Sequence, residues 1–237
     1  MDSMNILKPH WPQPKNIQAF TTLKECKIED LNLPTNKFLI TQEHGINILP
    51  ATNYTSNLPV TADGSYTKEK HMVCMVKTAD CLPILITNSS GSFVAAIHAG
   101  WRGLASGIIE NFFVQTKSLC LNSKDLLFWL GPAISPLVFE VGEDVLEKFG
   151  VFNSNVNLSD FHLYKPAFKK INNINNVNNK YFADIYQIAK ITLAQFGIED
   201  NQIFSKNWCT YSQSDLFYSY RREPLNNNRM YSLIWIS

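Results

Sequence analysis

The chain of 237 residues has no run of about 18 apolar residues, the length needed to cross a bilayer, so a membrane-spanning helix is excluded. It has no basic stripe either. Its 21 lysines and arginines are scattered among 20 acidic residues for a net charge of +1, which argues against nucleic acid as a partner. Five cysteines, an odd number without a CxxC pair, argue against a disulfide framework. Cys26, Cys74 and Cys120 read as small buried hydrophobes. Met1-Asp2-Ser3 opens no basic-plus-apolar leader, so a soluble cytoplasmic protein is expected. With 45% hydrophobic residues the chain can bury one large core, and a single domain over residues 17–237 is expected. Residues 1–16, with Pro9, Pro12 and Pro14 and no periodicity, read as a loose lead-in.

What the sequence does contain centres on residues 72–103. Two apolar runs, Leu82 to Thr87 and Ser92 to Ile97, flank the turn-rich Asn88-Ser89-Ser90-Gly91 and predict a β-hairpin. Pairing Thr87 with Ser92 sets Ile84 opposite Ala95 and Cys81 opposite His98. Opposed residues of an antiparallel pair share a face with Cα atoms roughly 4.5–5.5 Å apart, so a thiol and an imidazole meet at the open end. Both strands are apolar on both faces, which predicts burial on both sides.

Around this hairpin the elements interleave. Ile17 to Thr22 reads as a first strand. Phe38 to Thr41 reads as another, ending at Gln42-Glu43-His44-Gly45, where the glycine permits a sharp turn. Thr61 to Gly64 reads as a turn and His71 to Val76 as a central strand. After Gly100-Trp101-Arg102-Gly103, Leu104, Ile108 and Phe112 repeat at helical spacing. The N-terminus of that helix favours an anion, or its glycines serve close packing. Phe128 to Leu130 predicts a strand and Gly142-Glu143-Asp144 a helix start. Residues 171–179 are low-complexity and read as a surface excursion. Asp184 predicts the N-cap of a helix closed by Gly197, and Tyr231 to Ile236 a last strand. An antiparallel hairpin among alternating helices implies an α/β fold, a layered sandwich with mixed β-sheets flanked by helices.

Three readings of Cys81 and His98 stand side by side. With His44 as a third ligand they form a His2Cys set with an open fourth position, the pattern of a catalytic zinc. Without metal, His98 deprotonates Cys81 for nucleophilic attack, with Asp80 or another carboxylate orienting the ring. In the third, both are buried structural residues. Copper also accepts two histidines and a cysteine. The trinuclear cluster of a multicopper oxidase, however, draws on His-x-His pairs, and no two of His10, His44, His71, His98 and His162 are one residue apart.

QEHG, TADCLPILI, AAIHAGWRGL, GPAISPLVFEVGEDV, WCT, FYSYRR and NRMYSLIWI, in this order and spacing, resemble the bacterial laccase-domain family. Its members carry the names polyphenol oxidoreductase, purine nucleoside phosphorylase and peptidoglycan editing factor. The resemblance runs from about Phe20 to the C-terminus. It implies an α/β fold of mixed sheets and a zinc bound by His44, Cys81 and His98. It further implies phosphorolysis of adenosine, inosine or methylthioadenosine, with adenosine deamination as a second activity and purine nucleoside and phosphate as partners. Arg102, Arg221 and Arg222 are the candidates for binding phosphate, and Asp63 and Asp80 for contacting substrate or a ligand imidazole. Trp101 and Phe217 are candidates for stacking on a base. The plainer reading ties Arg102 to backbone carbonyls and pairs Arg221 or Arg222 with Asp215 or Glu223. The alternatives in function are a cysteine or zinc hydrolase editing peptidoglycan precursors and a non-catalytic, metal-stabilised nucleoside-binding protein. A monomer or homodimer is expected. Family members carry an Arg-Gly-Gly segment shortly after the first Thr-Thr. Here Thr21-Thr22 leads into Leu23-Lys24-Glu25-Cys26, which leaves Lys24 as the nearby substitute.

Overall fold

In the computed structural model, residues 5–52, 59–151, 163–171, 179–206 and 208–237 are described. The predicted hairpin forms the middle of a six-stranded mixed sheet. Strand Leu82–Asn88 pairs antiparallel with Val94–Ala99 on one side and Leu126–Leu130 on the other. Gly64–Thr67 and Ile48–Pro50 extend one edge, and Ile203–Ser205 extends the other in parallel. Side-chain alternation sorts the strands into two faces. Ile84, Ile86, Ala95, Ile97 and Phe128 face a helical layer, while Leu85, Val94, Ala96 and Trp129 face a second sheet. Burial on both sides explains why neither hairpin strand carries a polar alternation.

The second sheet is five-stranded. The C-terminal strand Met230–Ile236 lies at its centre between Ile17–Thr22 and Val73–Thr78, with Ile6–Leu7 and Lys37–Phe38 at the edges. Cys74, Val76, Ile234, Ile236, Ile17 and Ala19 point at the first sheet, and Phe20, Val73, Met75, Leu233 and Trp235 point away from it. On the other side of the first sheet pack helices Ile108–Thr116 and Ile185–Gln195, the latter capped by Asp184 accepting from the Gln187 N–H at 2.9 Å. A three-stranded sheet of Glu140–Val141, Phe168–Lys170 and Tyr181–Ala183 completes that layer. The α/β class and the layered, mixed-sheet architecture agree with expectation. Among the described residues no helix is long and apolar enough to cross a membrane.

Several local expectations differ. The hairpin loop is longer than a tetrad: the Asn88 side chain accepts from the N–H groups of Ser92 and Phe93 at 2.9 and 3.2 Å, which carries the loop through Phe93. Thr87 therefore pairs with Val94, His98 with Pro83, and Cys81 lies just beyond the strand end. The expected single helix after Gly100 is two, Trp101–Ser106 and Ile108–Thr116, broken at Gly107 with φ 95°. The lead-in is not loose from residue 5 onward, because Ile6–Leu7 pairs with Thr21 and Thr22 and Trp11 is buried. Of the three spare cysteines only Cys74 is buried; Cys26 is half-buried and Cys120 exposed. Asn172 to Asn178, within the expected surface excursion, lie outside the described residues, as does His162.

Candidate metal centre

His44, Cys81 and His98 come together. One ligand atom from each lies within 4.8 Å of the other two. His98 continues the row Val94–Ala96 at the end of its strand. Cys81 approaches along the same face from the start of the neighbouring strand, since the register offset of two preserves the facing of both side chains. His44 arrives from the turn after Ile40–Thr41. The left-handed residue of that turn is His44 itself, φ 59°, and not Gly45 as expected. A side chain in that conformation costs roughly 1–2 kcal/mol.

The buried carboxylate of Asp63 holds the turn in place. It accepts from the N–H groups of Glu43 at 3.2 Å, His44 at 2.9 Å and Gly45 at 2.7 Å. The same carboxylate lies 2.8 Å from His98 Nδ1. One aspartate thus fixes two of the three candidate ligands, and by occupying Nδ1 it leaves His98 Nε2 to face Cys81. Asp63 is a support for the imidazoles, and at 1% exposure it offers no surface to a substrate. Burial alone would raise its pKa, but the hydrogen bonds from His98, Gly45 and Glu43 hold the carboxyl below the usual range. Burial likewise opposes ionisation of Cys81 and His98, but hydrogen bonds from His44 and His98 outweigh it for the thiol, and those to Asp63 and Cys81 outweigh it for the imidazole. The thiol falls to about 6 and the imidazole rises to about 9.

This donor set fits a metal ion. Zinc bonds of about 2.0–2.3 Å in tetrahedral geometry place ligand atoms roughly 3.5 Å apart, a small contraction of the observed cluster. A thiol already depressed toward thiolate suits a metal, and a carboxylate on Nδ1 orients the His98 ring so that Nε2 faces the thiol, where a metal would displace the proton held between them. The glycines of AGWRG make the approach feasible. A Cβ on Gly100 would lie 2.9 Å from His44 Cδ2 and 3.1 Å from Cys81 Sγ, and one on Gly103 would lie 2.8 Å from the Gly45 carbonyl oxygen. Close packing accounts for both glycines, and the helix that they open is only six residues long.

The trio lines a cavity of about 1040 Å³. Arg102 stands at its wall with the guanidinium 4.4 Å over the Trp101 ring. Arg221 also lines it, donating from both terminal nitrogens to the Glu140 carbonyl at 3.1 and 3.2 Å beside the Phe139 ring. Three other candidates are committed to other partners, although Asp80 still lines the cavity. Arg222 spends its fork on the carbonyls of Thr210, Tyr211 and Phe217 and on Glu223, so it shapes the C-terminal loop and does not reach the cavity. Asp80, at φ 88°, accepts from Thr210 Oγ1 at 2.6 Å, Ser219 Oγ at 3.1 Å and the Arg221 N–H at 2.7 Å, tying TADC to that loop. Lys24 points to the Ser214 carbonyl and the Tyr218 ring, away from the cavity. Phe217 is core, whereas Trp101 faces the cavity.

Sequence reasoning passed over Gln42, Lys77 and Arg229, which also line the cavity. Two signals were available: Lys77 is the one charge in the apolar run VCMVKT, and Arg229 directly precedes the last strand.

The chain is 35% identical to a purine nucleoside phosphorylase of Haemophilus influenzae, covering 98% of this chain and 99% of the relative. It is 36% identical to the purine nucleoside phosphorylase YfiH of Escherichia coli, covering 98% of both. Among solved structures, Neisseria meningitidis protein NMB0706 superposes with a TM-score of 0.83 at 29% identity, covering 98% of this chain and 99% of that one. The Bacillus licheniformis hypothetical protein YfiH, at a TM-score of 0.84, 22% identity and coverage of 100% and 98%, shares the fold. A family model matches residues 15–237, and the chain belongs to the family described as multi-copper polyphenol oxidoreductase laccase.

Proposed function

We propose that this chain is a cytoplasmic, zinc-dependent purine nucleoside phosphorylase acting on adenosine, inosine or methylthioadenosine, with adenosine deamination as a second activity. The observation that carries the reading is the meeting of His44, Cys81 and His98 at the wall of a cavity that also presents Arg102 and Arg221. Full-length relatives named purine nucleoside phosphorylase support it. Zinc is the ion of choice for two histidines and a thiolate with an open position, and copper is the other ion that accepts the set. Bound there, zinc supplies a Lewis acid and an acidified water.

The protein's own groups provide the rest. Asp63 keeps the proton of His98 on Nδ1 and the ring in one orientation. Trp101, Phe139 and Tyr220 line the cavity with aromatic surface suited to the faces of a purine. Arg102 and Arg221 bring positive charge to an attacking phosphate, which forms its bond to the ribose carbon as the purine leaves with the glycosidic electron pair. In deamination, water adds to the purine carbon that bears the amino group, and the amino group leaves as ammonia. Incubating adenosine with and without phosphate tests both: phosphate-dependent ribose-1-phosphate and phosphate-independent inosine are expected by chromatography. Absence of ribose-1-phosphate from every purine nucleoside overturns the phosphorylase reading.

One observation favours a second reading. A thiol held at about 6 beside two imidazoles is a ready nucleophile, which suits a cysteine hydrolase of amides or cell-wall precursors with His98 as base. Hydrolysis by metal-free protein that stops on alkylation of Cys81 would favour it. Saturable nucleoside binding without turnover would favour the metal-stabilised binding protein.

A further inference from the structure

We propose that Lys77 and Arg229 form a second anion subsite in the same cavity, built for a phosphate group, either free or carried as a nucleoside 5′-phosphate ester. The register of the second sheet places them together. Tyr231 pairs with Lys77 and Met230 with Thr78, so Arg229 falls one step beyond, diagonal to Lys77. Alternation puts Met75, Lys77, Ala79, Arg229 and Tyr231 on one face, and all five line the cavity. Diagonal neighbours of an antiparallel pair lie about 7–8 Å apart, a spacing at which two cations can share one phosphate.

Both cations stand in an excess of positive charge. Neither makes an ion pair among the described residues. The carboxylates lining the cavity are Glu29 and Asp80, against Lys37, Lys77, Arg102, Arg221 and Arg229, and Asp80 is already engaged by Thr210, Ser219 and Arg221. Like charges set this close repel unless an anion joins them. The subsite is also positioned. The Arg229 Nη1 donates to the carbonyls of Asn226 and Asn228 at 3.0 and 2.8 Å, which leaves the rest of its fork available. The Gln42 side chain brackets Lys77, accepting from its N–H at 2.7 Å and donating to its carbonyl at 2.8 Å. Gln42 precedes His44 by two residues, so the cations and the candidate metal site are held to one another by a single turn.

The phosphorylase reading bears on this inference only in naming the phosphate as reactant, and titration calorimetry of the purified protein separates the two. Inorganic phosphate and adenosine 5′-monophosphate are the probes. Lys77→Gln and Arg229→Gln should each weaken at least one of them on the order of tenfold with zinc content unchanged. Lys77→Arg should restore most of the affinity, and Lys24→Gln should have no effect. Loss confined to inorganic phosphate identifies the free ion, and loss confined to the nucleotide identifies the ester. Lys77 is exposed and its bonds to Gln42 use the backbone, so Lys77→Gln leaves the fold intact. No saturable binding of either probe to the unmodified protein, or full affinity in the double variant, overturns the subsite. Absent phosphorolysis with phosphate binding that follows Lys77 and Arg229 removes the phosphorylase and keeps the subsite. Phosphorolysis with an unchanged phosphate KM in the double variant does the reverse.

Discussion

The two parts of the cavity are built on different terms. Around the trio nearly every group is over-determined: one buried carboxylate takes three backbone N–H groups and a ring nitrogen, and a glycine stands where a methyl group would collide with two ligands. Along Lys77, Arg221 and Arg229 the charges sit at the ends of long side chains, steadied by carbonyls and rings. The difference follows from the tolerances of the two tasks. A metal requires its donors within tenths of an ångström, whereas capture of an anion requires charge and donors that can turn toward it.

The largest effect should come from breaking the trio's support. Asp63→Ala removes the acceptor of three part-buried N–H groups and leaves the buried His98 Nδ1 unpaired; a loss of about 3–5 kcal/mol in urea unfolding is expected. Zinc affinity in chelator competition should fall about 10–100-fold for Asp63→Asn, which keeps the shape and loses the charge. Gly100→Ala should cost about 1–3 kcal/mol and lower the zinc content by driving His44 and Cys81 apart. Gly197→Ala is its control: φ is 73° and nothing lies within 4 Å of an added Cβ, so about 1 kcal/mol of strain with zinc retained is expected.

The reactivity of Cys81 gives a subtler test. The thiolate is the nucleophile and forms as pH rises through the pKa, so alkylation of metal-free protein by iodoacetamide should rise through about pH 6 and stay high above it. A midpoint near 9 would show that the imidazoles do not hold the thiolate. On the arginine side, Arg222→Ala should destabilise by about 2 kcal/mol, while Arg221→Ala should act on the phosphate KM and leave unfolding nearly unchanged. Lys24→Ala should stay within about 0.5 kcal/mol and leave kinetics unaltered.

Local pattern carried much of the fold into view. Ile17–Thr22 is a strand over the residues expected, and Asp184 caps its helix, because these features depend on alternation and on one side chain near its own backbone. The hairpin register was off by two since the Asn88 side chain lengthens the loop, and an even offset kept thiol and imidazole on one face. Asp63 could be read as a support for a ligand imidazole only on a par with Asp80, and nothing local separates the two. Asp63 stands 35 residues from His98 in a stretch that looks like any turn, and only the pairing of Gly64–Thr67 with Val94–Ala99 brings Asp63 and His98 side by side. Arg221 and Arg222 were indistinguishable as neighbours in sequence, and the path of the loop after Thr210 sends one to the cavity and the other into carbonyls.

The central place of Met230–Ile236 in its sheet bears on how the chain is made. Until Met230–Ile236 has been made, Ile17–Thr22 and Val73–Thr78 each show an unpaired edge. Nascent chains of this protein therefore have a long interval, between the making of Val73–Thr78 and that of Met230–Ile236, in which those edges can pair with the wrong partner, and chaperone protection in that interval should matter more to its yield than protection before it.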